Sequence, residues 1–192
     1  MNYLYYILLA VFVTLCKYSK FYCNITFIFA IMDVVIIMEY KYTTNSEEDT
    51  IVLAQNFESE KFNNMVICLI GELGSGKTVF TKGFAGALGI DENITSPTFN
   101  IIKEYKSGEM DLYHMDVYRL EGDTTGLGLD EYLKKDGIII IEWADMIRSE
   151  LPEERLEIKF KISGEEKRTL TITPYGEKYE TLCEDVLWKA YL

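Results

Sequence analysis

Gly71, Gly76, Lys77 and Thr78 stand in the run GELGSGKT, which fills every fixed position of G-x4-G-K-[ST]. That spacing suits one chemistry, the grip on a chain of phosphates. Glycines open backbone angles that other residues avoid and let the main chain approach the ligand closely. The nucleotide-binding set expected here is Glu72, Leu73, Gly74, Ser75, Gly76, Lys77 and Thr78. Amide N–H groups from Leu73 onward turn inward, and the start of the following helix adds partial positive charge. Lys77 reaches the β- and γ-phosphates and stabilises charge during transfer, and the Thr78 hydroxyl serves Mg²⁺.

Such a loop works with an acid on a neighbouring strand, which holds Mg²⁺ or its water. Glu142 closes the run IIIIE, where a carboxylate ending a buried strand needs a cation to meet. Asp116 lies in HMDVYR and is placed on one strand face with His114 and Tyr118. The plainer role for Asp116 is a helix cap or an ion pair with Arg119. Both acids stay open as metal ligands on this ground. His114, the one histidine, reads more simply as a packed strand residue than as a general base. Trp143 suits either a core anchor or a partner-facing aromatic.

Several phosphate-loop classes are excluded. The chain lacks NKxD, the guanine-reading motif, and LSGGQ, the signature of transporter ATPases. It also lacks an arginine-rich lid of the nucleoside-monophosphate-kinase kind. Asp123-x-x-Gly126 matches a GTPase switch formally, but in the wrong context.

The elements that must position these residues follow from pattern. MVICLI (65–70) is apolar throughout, as in a strand covered on both faces. A helix from Lys77 to about Leu88 follows the loop, with Gly89 as its stop. Upstream, 39–43 reads as a short edge strand. Asn45 or Ser46 caps a helix to about Ser59, its first turn acidic and its core face Ile51, Ala54 and Phe57. Pro97 keeps 94–105 a loop leading into a strand, and a second strand follows the turn at 107–108. A short helix spans GLDEYLKKDG, and Ile138–Ile141 form the clearest buried strand. LEIKFKI (156–162) alternates, with one face buried, and SGEEKR turns it into TLTIT as a hairpin. The tail is an amphipathic helix bearing Leu182, Cys183, Val186, Leu187 and Ala190 on one side. Together these predict an α/β fold: a phosphate-loop NTPase-like three-layer sandwich with a mixed, mainly parallel central sheet and a C-terminal antiparallel hairpin.

A chain of 192 residues fits one domain. Its net charge of −12 disfavours non-specific grip on nucleic acid and favours a protein partner. Four scattered cysteines with one histidine make neither a zinc site nor a disulfide framework, and suit a reducing compartment. Residues 1–37 differ from the rest, with no glycine and three charges, Lys17, Lys20 and Asp33. As a signal peptide they lack a basic n-region and a cleavage site. As an anchor, the run 21–37 is interrupted by Asn24 and Asp33. Their Phe, Ile, Tyr, Asn and Lys bias is that of translated A+T-rich non-coding DNA. The expectation is a native start at Met38, which leaves 38–192 as the ATPase domain and gives no membrane contact.

Taken together, GELGSGKT, SPTF (96–99), HMDVYRL (114–120), IEWAD (141–145) and LP (151–152) resemble the TsaE (formerly YjeE) family. The resemblance covers 38–192, and the SPTF, HxDxYR and EW set is specific to that family. It implies a cytoplasmic ATPase, weak in isolation and using ATP and Mg²⁺. It further implies partnership with TsaD and TsaB in threonylcarbamoyladenosine modification of tRNA beside the anticodon, with tRNA contacted only indirectly. By resemblance Thr78 and Glu142 are the Mg²⁺ ligands. Lys77, Asp116 and Glu142 form the catalytic set, and 96–99 is a switch-like loop with Thr98 its polar member. Adenine is expected near 45–47, and Arg168 is expected to reach the nucleotide. The alternative is a small-molecule phosphate-loop kinase.

Overall fold

The runs 65–70 and 138–141 are apolar on both faces, and they form the centre of the main sheet. The computed structural model describes residues 26–30, 33–97, 99–120 and 128–189. The expectations for residues 1–25, Thr98, the Asp123–Gly126 pattern and Ala190 lie outside that set.

Strands β1 (Thr26–Ala30) and β2 (Asp33–Ile37) pair antiparallel in a sheet of their own. The main sheet holds β3 (Tyr40–Thr44), β4 (Met65–Ile70), β5 (Ile102–Tyr105), β6 (Leu112–Asp116), β7 (Ile138–Glu142), β8 (Arg155–Ile162) and β9 (Arg168–Tyr175). Their order is β3-β9-β8-β4-β7-β6-β5. Four neighbouring strands, β8, β4, β7 and β6, run parallel. The flanking strands join antiparallel, and β8–β9 is the expected hairpin. Helices are α1 (Glu47–Ser59), α2 (Lys77–Ala87), the short α3 (Leu129–Tyr132) and α4 (Glu177–Lys189).

In β4, Met65, Ile67 and Leu69 face one core with Ile138 and Ile140 of β7, under Phe57 of α1, Phe84 of α2 and Leu182 of α4. Val66, Cys68 and Ile70 face the other core with Ile139 and Ile141, under Leu129 of α3 and Ile147 of the 3₁₀ segment Ala144–Glu150. Two covered faces are why MVICLI and IIII carry no polar residue. Alpha layers on both sides make the three-layer sandwich that the pattern predicts.

Three expectations need correction. Ile51 is half-buried, and Leu53 takes its place in the core beside Ala54 and Phe57. Close approach explains the shift: a Cβ on Gly83 would lie 2.8 Å from the Ile51 Cα, so α1 and α2 cross backbone to backbone. In β8 the alternation fails at both ends, with Glu157 buried and Ile162 exposed. Arg155 explains Glu157, pairing with it at 2.7 Å. Tyr118 leaves the strand face shared by His114 and Asp116, because β6 ends at Asp116 and Tyr118 opens a 3₁₀ turn.

A buried polar contact fastens the tail helix to the sheet. The Tyr179 hydroxyl accepts the Val66 N–H at 2.8 Å inside the core. Burial pushes this phenol up to about 12. Tyr179→Phe strands a buried donor and is expected to cost about 1–3 kcal/mol. Urea unfolding should show a lower midpoint at unchanged slope; an unaltered midpoint would show that the bond adds nothing.

Candidate functional site

The loop after β4 sits at the C-terminal edge of the parallel strands, where α/β sheets place their ligands. Gly71, Gly74 and Gly76 all have positive φ, at 148°, 74° and 108°. Gly71 is fixed sterically as well, since a Cβ there would lie 2.7 Å from the Phe160 carbonyl oxygen. Gly76 caps α2 in the left-handed region, and this aims the helix start into the cavity.

That cavity measures about 490 Å³ and is lined by loop and helix residues 73–79, together with Ser96, Asp116, Glu142, Trp143 and Arg168. Ser46, Glu47 and Thr50 of the α1 start close one side, and Glu165 and Glu166 of the β8–β9 turn close another. The structure therefore brings Lys77, Thr78, Asp116 and Glu142 to one place, though they are far apart in the chain.

Parallel register does this. Asp116 and Glu142 are partnered at the ends of β6 and β7. The Thr78 hydroxyl lies 2.9 and 3.1 Å from the two Glu142 oxygens. Asp116 is held differently: Ser96 donates its hydroxyl to Oδ2, and the Tyr118 N–H donates to Oδ1 at 3.1 Å. So the capping role weighed for Asp116 is real, and it ties SPTF to HMDVYR. Arg119 stacks over Phe99, 4.2 Å from the ring centre.

Lys77 is buried, and its ammonium donates to the Gly71 and Glu72 carbonyls at 2.7 and 3.0 Å. It also lies 3.9 Å over the Trp143 ring. Burial pulls the Lys77 pKa below the usual lysine value, while the Glu142, Asp116, Asp145 and Glu72 carboxylates push the other way. Trp143 is thus a wall of the site. It follows β7 in a left-handed conformation at φ 62° and packs at a tilt against Tyr118, with ring centres 4.6 Å apart. Left-handed backbone is unfavourable for a bulky residue, so tight surroundings must hold Trp143 there.

His114 is a packed strand residue, as expected, and it also touches the site. It is fully buried, and Nε2 meets Glu142 Oε1 at 2.9 Å while Nδ1 has no hydrogen-bond partner. The signal was present in HxD: residues two apart on a strand share a face. Ser96 was passed over as a ligand to Asp116, since a loop partner has no spacing to betray it.

Mg²⁺ takes hard oxygen donors and usually keeps waters, relying on one or two carboxylates plus phosphates. Thr78 and Glu142 offer oxygens of that kind beside the loop, so the donor set fits this ion. Among the described residues no cluster of three or more His, Cys, Asp or Glu could cage a metal. Among them too, no helix is long and apolar enough to cross a membrane.

Comparison with known proteins points the same way as the site. The family model described as threonylcarbamoyl adenosine biosynthesis protein TsaE matches residues 44–170. A Bacillus subtilis (strain 168) protein named tRNA threonylcarbamoyladenosine biosynthesis protein TsaE is 47% identical over 148 residues, 77% of this chain and 94% of that one. A Rickettsia bellii protein of the same name is 36% identical over 132 residues, 67% of this chain and 91% of its own. Among solved structures, the crystal structure of Bacillus subtilis YdiB superposes with a TM-score of 0.72 at 42% identity, covering 81% of this chain and 99% of that one.

Proposed function

The chain belongs to the TsaE family, and on that premise we propose that it binds ATP with Mg²⁺ and hydrolyses it to serve a tRNA-modifying complex. Membership makes it a phosphate-loop NTPase-like protein of tRNA threonylcarbamoyladenosine biosynthesis. The further reading is that it acts on TsaD and TsaB in the cytoplasm and meets tRNA only through them. Its charge of −12 suits a protein partner better than bare tRNA.

One observation carries the hydrolytic reading: Lys77, Thr78, Asp116 and Glu142 converge on a single cavity at the phosphate loop. Loop amides and Lys77 hold the β- and γ-phosphates. Thr78 and Glu142 hold Mg²⁺, which when bound neutralises charge on the phosphate oxygens. Asp116, fixed by Ser96 and the Tyr118 amide, orients the attacking water. Trp143 shields Lys77 from solvent, which strengthens its pull on the phosphates. Preorganised charge of this kind does most of the work in phosphoryl transfer.

Reconstituted modification tests the proposal. TsaD, TsaB, the threonylcarbamoyl-adenylate donor and tRNA should sustain repeated turnover only when this protein and ATP are present. Full turnover without it, or steady phosphorylation of a metabolite by the isolated protein, would remove the reading. Within that assay Asp116→Asn should keep nucleotide affinity within about threefold and lose roughly 10²–10⁴ in hydrolysis rate. A normal rate in that variant takes water orientation away from Asp116.

A further inference from the structure

Arg168 opens β9, directly after the exposed turn 163–167. Its guanidinium donates to main-chain carbonyls on two separate segments. Nε reaches Ser75 O at 3.1 Å and Nη2 reaches Gly74 O at 3.3 Å, both in the phosphate loop. Nη1 reaches the carbonyls of Lys167, Glu165 and Gly164 at 3.0, 3.2 and 3.3 Å, all in the turn. A planar fork can serve both segments at once; a lysine ammonium, as a single point charge, cannot.

In a trans peptide the C=O and N–H point in opposite directions. Holding the Ser75 carbonyl therefore turns the Gly76 N–H away from Arg168, at the residue that caps α2. Holding the Gly74 carbonyl fixes the peptide whose other end, the Ser75 N–H, donates to Glu72 O at 3.2 Å and closes the loop's turn. Both peptide planes are thus set by one side chain. Gly74 and Gly76 have unusual freedom of their own, so an external restraint matters most there.

We propose that Arg168 is a positioning residue: it pre-forms the phosphate loop by holding the Gly74 and Ser75 carbonyls, and ties the loop's shape to the β8–β9 turn. This rests on reading 71–78 as a nucleotide site. It differs from a direct contact between Arg168 and the nucleotide. A contact to the terminal phosphate would favour ATP over ADP. A restraint on the loop favours both equally, because the ordering cost it removes is the same for each ligand.

The test uses the full chain with Arg168→Lys and Arg168→Ala. Affinities for ADP and ATP are measured in EDTA, and amide hydrogen exchange at Ser75 and Gly76 is measured without nucleotide. Both variants should bind ADP and ATP more weakly by one common factor, about 10–100-fold. Exchange at Ser75 and Gly76 should quicken. Arg168→Lys keeps the charge and the aliphatic stem, so it retains the fold should Arg168→Ala lose it. Thr169→Val is the control: it removes the 2.7 Å Ser163–Thr169 hydroxyl pair from the same turn without touching the loop. It should leave affinity and loop exchange unchanged. A loss confined to ATP, unaltered affinities, unaltered exchange in the Arg168 variants, or an equal effect from Thr169→Val would overturn the proposal. Wild-type protein that binds neither nucleotide would instead remove the loop reading, while the exchange measurement would still judge the restraint.

Discussion

Lys77→Ala is expected to weaken ATP binding by roughly 10²–10⁴-fold, the loss of two charge-assisted hydrogen bonds at about 1.5–3 kcal/mol each. Burial makes the effect large. Lys77 is 4% exposed and lies under Trp143, so its charge is little screened by water. The same variant strips the Gly71 and Glu72 carbonyls of their shared donor. Some lost affinity then reflects a looser loop, and thermal unfolding separates the two contributions. A melting temperature near wild type with affinity lowered a hundredfold or more assigns the loss to the missing charge. Calorimetric titration with ATP is the measurement, and affinity within threefold of wild type would contradict the role given to Lys77.

Glu142→Gln is the second large expectation. In the wild-type chain the Glu142 carboxylate meets Thr78 and His114 together, both at Oε1 and both at 2.9 Å. Glutamine keeps the shape and can meet both neighbours, but it lacks the charge that draws Mg²⁺. Nucleotide affinity in EDTA should stay within about threefold of wild type, while hydrolysis falls at least about 10²-fold. The strengthening of ATP binding by Mg²⁺ should shrink by about 10–100-fold. Glu142→Ala should add a stability loss of about 1–3 kcal/mol, because it leaves the buried His114 ring without its one hydrogen bond. Equal Mg²⁺ enhancement in wild type and Glu142→Gln would take the metal away from this residue and return attention to Asp116.

Much of the fold was legible because its signals are local. Short apolar runs over 65–70 and 138–141, each flanked by a glycine, read as strands covered on both sides, and they are. Ser46 caps α1 by accepting the Asp49 N–H at 3.1 Å, as the residue types around it suggest. The misses have tertiary causes. Ile51 was displaced by the glycine-mediated approach of α2, and Glu157 was drawn inward by Arg155. Neither is visible in a periodicity, which registers one element at a time.

The candidate site divides along the same line. The loop residues and the two strand-end acids could be named from type and spacing alone, because phosphate binding demands glycine freedom, a lysine and a hydroxyl in fixed order. Division of labour between the acids could not. Asp116 and Glu142 are equivalent by sequence, each ending a strand. Packing places Glu142 against the Thr78 hydroxyl and Asp116 against Ser96. The partners of His114 and Arg168 belong to the tertiary level, the first in the depth of the sheet and the second across a hairpin.

By itself the sequence determined a phosphate-binding strand–loop–helix unit, the covered parallel strands around it and, through SPTF, HMDVYRL and IEWAD, the family. The family resemblance already put Glu142 with Thr78 and Arg168 near the nucleotide; only the tertiary structure showed what braces each acid and that Arg168 grips the loop's own carbonyls. The physical reason is range. Backbone preferences and burial patterns act between residues a few positions apart and leave a period in the chain. Hydrogen bonds between Thr78 and Glu142, or Arg168 and Gly74, join residues 64 and 94 positions apart, and they exist only once the sheet has set its register.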